Sequence, residues 1–169
     1  NSVDDYRREL AGAGDYGTVV LDHVTGFADM VLGEIIGKPV PEQKGWGLAS
    51  QQQYGTLGMQ AKELLRTLLD LPCHVVIVAH QRTFGGRDEG SDGSIIQPTV
   101  GAALTPSLAG WLNGAVDYLV QTYKRPRMTK KTIQVAGKDQ VIDERGRGVE
   151  YCLRTEPHDV FMTKFRVPG

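Results

Sequence analysis

Two short apolar runs constrain this chain more than anything else in it. Thr18-Val-Val-Leu-Asp22 and His74-Val-Val-Ile-Val-Ala-His80 are both Val-rich, and each ends abruptly in a titratable side chain. Apolar, β-branched runs of this length predict strands buried on both faces of a parallel sheet. A loop and helical patterns lie between them, which is the make-up of a βαβ crossover, right-handed by default. Open α/β sheets bind ligands at the carboxyl ends of their strands. Asp22, His80 and Gln81 are therefore the first candidate functional residues. Asp22 has two readings here: a carboxylate that helps hold the Mg²⁺ of a bound nucleotide, or the N-cap of the next helix.

The rest of the chain supplies helices and further strands. Val3–Leu10 reads as a short helix stopped by Ala-Gly-Ala-Gly-Asp. Thr25 is a fair cap for a helix over Gly26–Ile36, closed by Gly37 and Pro39. A second helical stripe runs over Thr56–Leu71, with Pro72 as its stop, and a short helix over Thr105–Asn113 has Pro106 in its first turn. Further strands are predicted at Ala115–Thr122, Thr132–Ala136, Val149–Thr155 and Val160–Phe165, the last two joined as a hairpin through Glu156-Pro-His-Asp. Residues 37–55 and 83–103 read as long loops, which are usually functional or disordered. The expectation is one α/β domain over residues 1–169, a mostly parallel sheet flanked by helices, with a C-terminal antiparallel hairpin.

Composition excludes several classes. The 169 residues suffice for one domain with a core, and a net charge of −1 does not mark the whole chain as a nucleic-acid binder. Any such surface is local. Lys124–Lys131 holds five cations and no acid; its other reading is a solvated edge that discourages strand aggregation. Lys44 and Trp46 in the first loop combine a cation with a stacking ring, which suits single-stranded nucleic acid. Arg87 stands in the second loop, where Asp88, Glu89 and Asp92 outweigh the cations. Cys73 and Cys152 show no metal spacing and read as buried thiols. The four histidines show none either, and no Gly-x-Ser-x-Gly elbow is present, so a serine hydrolase is rejected. No apolar run is long enough to cross a membrane and no signal peptide is visible.

Taken in order, Thr18-Val-Val-Leu-Asp22, Val75-Val-Ile-Val-Ala-His-Gln81, Gly110–Tyr118 and Met162-Thr-Lys-Phe-Arg166 resemble the RecA-like branch of the P-loop NTPases. The nearest likeness is to AAA-type NTP-binding proteins of bacteriophages, some of which are RecA-like annealing or recombination proteins. The resemblance covers about residues 16 to 167. It implies a RecA-like fold, ATP and Mg²⁺ as cofactors, and Asp22 as the Walker B carboxylate on the metal. It implies His80 and Gln81 as sensors of the γ-phosphate, and Lys164 and Arg166 as a finger pair reaching a neighbouring subunit's nucleotide. Lys44, Trp46, Arg87, Lys124, Arg125 and Arg127 become the nucleic-acid contacts of a protein that binds single-stranded DNA. Self-association into a ring or filament follows, with no membrane and a cytoplasmic location, in a bacterial host if phage-encoded.

Two departures qualify the likeness. No Gly-x-x-x-x-Gly-Lys-Ser/Thr loop occurs; Gly37-Lys38 and Gly137-Lys138 lack the required flanks, and only 21 residues precede Asp22. His23 stands where many AAA proteins have Glu. With the start at Asn1, the expectation is a core whose N-terminal part lies outside this chain. The alternative is a non-catalytic RecA-like module that binds single-stranded nucleic acid or a protein.

Overall fold

The computed structural model describes residues 2–41, 47–85, 98–135 and 138–166. They divide into two compact units, Asn1–Val116 and Asp117–Gly169. No helix in the described residues is long and apolar enough to cross a membrane.

The first unit is built on helices. Ser2 and Asp5 form a capping box that starts α1 (Val3–Ala11), with each side chain accepting from the other residue's backbone N–H. The strand β1 (Thr18–Asp22) leads into α2 (Val24–Ile36), which ends at Gly37 with φ 67°. That left-handed turn favours glycine. Helix α3 spans Gln51–Leu69, five residues longer at its start than expected, because Ser50 and Gln53 make a second capping box. The 37–55 loop shrinks accordingly. Strand β2 (His74–Val78) runs parallel to β1, in register from Thr18↔His74 to Asp22↔Val78, so the crossover holds.

One stripe from each helix fills the core. Val24, Val31 and Leu32 from α2 meet Leu65 and Leu68 from α3 and Leu108 from α4 (Pro106–Ala115). Val19, Leu21, Val75 and Ile77 pack on this cluster from one side of the parallel pair. Their neighbours Val20, Val76 and Val78 are exposed. Burial on both faces is thus corrected: among the described residues only one face of β1 and β2 is covered. A run of valines looks alike in sequence whether one face is covered or both.

Strands also occupy both ends of the expected 83–103 loop. β3 (Gln81–Phe84) pairs antiparallel with β4 (Thr99–Ala102). Apart from β1 and β2, then, the described strands pair antiparallel.

The second unit is dominated by a long two-stranded ribbon. β5 (Tyr118–Leu119) is followed by β6 (Gln121–Val135), which pairs antiparallel with β7 (Lys138–Arg154) from Gln121↔Arg154 to Val135↔Lys138. The register shifts once, between Pro126 and Met128. Pro126 is tolerated inside β6 because a two-stranded ribbon keeps an open edge on each strand. The predicted hairpin of Val149–Thr155 with Val160–Phe165 is corrected: β7 pairs with β6, and β8 (Lys164–Phe165) pairs with β5. Most of the ribbon is solvated on both faces, so apolar alternation was missing where the strands continue.

Candidate functional site

The carboxyl ends of β1 and β2 come together as their register requires. Asp22 is exposed, and among the described residues its carboxylate has no hydrogen-bond or ion-pair partner. It does not cap α2, so the capping reading is removed. The expectation that Thr25 caps it is corrected as well: the N-cap is His23, whose Nδ1 accepts from the Gly26 N–H at 2.9 Å. That bond leaves Nε2 as the nitrogen that carries the proton of neutral His23. A Cβ on Gly26 would come to 3.0 Å from the His23 ring, so the ring would have to give by a few tenths of an ångström.

His80 is held beside this cap from three directions. Its ring stacks on His23 with centroids 4.0 Å apart, its N–H donates to Thr25 Oγ1 at 3.3 Å, and its carbonyl accepts from the Ala103 N–H at 2.7 Å. Gln81 opens β3 directly after it. Asp22, His23, His80 and Gln81 thus form one cluster at the strand ends. The histidine stack was missed in sequence, where His23 looked only like an absent glutamate. A His three residues before Gly at a helix start was the available signal.

A cleft of about 450 Å³ lies against Asp22 and His23, lined also by Asp5, Glu9, Phe27 and Met30. Among the described residues its lining contains three carboxylates and no Lys or Arg. Hydrogen bonds from the Ser2 hydroxyl and backbone hold Asp5 below the usual carboxylate range. Tyr6, also in the lining, donates to the Leu64 carbonyl at 3.2 Å, and burial pushes its phenol up to about 12. Among the described residues no group of three or more His, Cys, Asp or Glu could hold a metal by itself. Asp22 can offer carboxylate oxygen to an ion that takes its other ligands from water and ligand oxygens. That fits Mg²⁺, which keeps several waters and takes one or two carboxylates beside the phosphates of its nucleotide. Phosphates do not approach such an anionic lining without a cation between.

In the second unit, Lys164 lies in β8 opposite Leu119, half-buried. Arg166 is tied to Asp117 twice: its guanidinium meets the carboxylate at 3.0 Å, and its N–H donates to the Asp117 carbonyl. Both side chains of that ion pair are exposed, so it is weak and exchangeable. Lys124, Arg125 and Arg127 lie along β6. Arg125 Nε donates to Glu150 at 2.9 Å, a bond that raises the guanidinium pKa further, and Arg127 approaches the same carboxylate at 3.7 Å. Lys44, Trp46 and Arg87 lie outside the described residues. Cys73 and Cys152 are free thiols, half-buried.

A family model described as an AAA domain covers residues 7–167, nearly the whole chain. No curated protein matches, and no solved structure does.

Proposed function

The chain belongs to the AAA-domain family of P-loop NTPase-like, nucleotide-binding proteins, and on that premise we propose that it is the ATP-binding core of a RecA-like protein of bacteriophage type acting in DNA recombination or annealing. One observation carries this reading: a carboxylate with no partner among the described residues, Asp22, ends a strand whose parallel neighbour leads into His80 and Gln81.

In this reading Asp22 holds Mg²⁺, directly or through water, and the bound ion offsets charge on the nucleotide's phosphates. His80 and Gln81 are the polar groups that register the terminal phosphate. The stack on His23 and the two backbone bonds of His80 keep that ring from drifting. Because β3 starts at Gln81, a shift there would pass straight into the β3–β4 pair. Lys164 and Arg166 are fingers supplied to a neighbouring subunit in a ring or filament. Phosphoryl transfer asks for positioned positive charge more than for covalent help, and an Arg fork with a Lys point charge supplies it. The protein works in the cytoplasm on single-stranded DNA.

The test is Mg²⁺-dependent ATP binding by the full-length protein, measured by titration calorimetry. Asp22→Ala removes the Mg²⁺-dependent part of the affinity while the fold is retained. Equal binding by parent and variant would sink the nucleotide role of Asp22.

A further inference from the structure

The ribbon Gln121–Arg154 carries nine basic and four acidic residues, a net charge of +5 in a chain whose total is −1. Charge is also sorted by face. In an antiparallel pair, residues opposite each other share a face, and faces alternate along each strand. One face of the basal half holds Arg125, with Arg127 near it, both drawn onto Glu150. On that same face Tyr123 lies beneath Arg154, which also stacks over Phe161 at 4.4 Å. This side is occupied by the unit's own packing.

The opposite face differs. Thr122, Lys124, Pro126 and Met128 on β6 stand opposite Leu153, Tyr151, Val149 and Arg145 on β7. These eight positions include two cations and no acid. The apolar members are open to solvent: Tyr151 is 79% exposed, Leu153 62% and Val149 54%. The Lys124 ammonium sits 5.3 Å from the centre of the Tyr151 ring. Alternate residues along a strand are spaced by about 7 Å, which suits one extended nucleotide per step. An uncharged apolar partner would leave Lys124 and Arg145 unused, and an acidic peptide would leave the exposed ring without a planar partner. A single strand of nucleic acid satisfies both, with bases on the rings and phosphates on the cations.

We propose that this face of the ribbon is a single-stranded nucleic-acid track, with Tyr151 as its stacking platform and Lys124 and Arg145 as its phosphate contacts. The inference deepens the DNA partner of the reading above and is independent of the nucleotide site.

Fluorescence anisotropy of a labelled oligothymidine with the full-length protein, without nucleotide and across a salt series, tests it. Tyr151→Ala weakens binding by about tenfold or more with the salt slope unchanged, and Tyr151→Phe restores it. Lys124→Gln with Arg145→Gln lowers the slope by about 1.4, the value for two phosphate contacts on a single strand. Because this assay contains no nucleotide and the calorimetric test above contains no oligonucleotide, failure of the ATP site and failure of the track read out separately. Parental affinity and slope in the Tyr151 and Lys124/Arg145 variants would overturn the proposal. So would equally tight, equally salt-sensitive binding to phosphatidylserine vesicles or polyglutamate.

Discussion

The imidazole of His23 lies 4.0 Å from that of His80, with the two planes 29° apart. The same ring accepts the Gly26 N–H that opens α2. Helix start and strand end are thus joined through one side chain. His23→Ala removes the cap and lowers stability by about 1 kcal/mol. His23→Asn keeps the cap and loses the stack. Urea denaturation of the two variants separates the roles; equal losses in both would mean that the cap contributes nothing.

Gly26 is coupled to that cap by geometry. A methyl group there meets the His23 ring, while Ala is the better helix former by about 1 kcal/mol. Gly26→Ala is therefore neutral or destabilising in the parent and stabilising in the His23→Ala background. A double-mutant cycle reads the difference in sign. Additive effects would show that the ring moves aside freely.

The core makes a larger prediction. Leu65 is fully buried in the cluster joining α2, α3 and α4. Leu65→Ala costs about 2–5 kcal/mol through lost burial and the cavity left behind. Met59 on the same helix is exposed, and Met59→Ala stays within about 0.5 kcal/mol. Chemical denaturation of both variants checks the contrast.

Tyr6 gives the first unit an alkaline limit. Burial lifts its phenol from the ordinary 10.0 to about 12, because the phenolate is poorly solvated beside Phe27. Below pH 10 both folded and unfolded chains keep the proton, and the full contribution is present. Between pH 10 and about 12 the unfolded chain ionises first, so stability falls with rising pH. Tyr6→Phe removes this component of the slope, at a cost of about 1 kcal/mol for the lost bond to the Leu64 carbonyl. Denaturation midpoints compared across that window test it; parallel curves would contradict it.

The parts that sequence made legible are those where burial writes a period. The Val19 and Val75 strands, the α3 stripe through Leu57, Leu64 and Leu68, and the parallel strand ends that pair Asp22 with Val78 all follow from apolar patterning and the crossover rule. The ribbon did not follow. Lys130, Gln134 and Asp139 are solvated strand residues, so nothing in their polarity separates strand from loop. His23 was missed for a different reason: histidine is not among the preferred caps, and its role depends on a stacking partner more than fifty residues away. Asp117 and Glu150 became visible only as ion-pair partners of Arg166 and Arg125.

Arg166 sets the last prediction. Its ion pair with Asp117 is exposed on both sides, so a phosphate can take the place of the carboxylate at little cost. If Arg166 serves a neighbouring subunit's nucleotide, Asp22→Ala and Arg166→Ala proteins are each inactive as ATPases, yet a mixture recovers activity. A junction works when an intact Asp22 faces an intact Arg166 from the next chain, so an equal mixture of freely exchanging subunits in a head-to-tail assembly returns about a quarter of the parental rate. Asp117→Asn frees the guanidinium and preserves or raises the rate. Steady-state phosphate release from the full-length proteins, singly and mixed, measures this. An inactive mixture of subunits shown to exchange would place Arg166 in its own subunit's site or outside catalysis, and a collapse in Asp117→Asn would make the ion pair, not the free finger, the active arrangement.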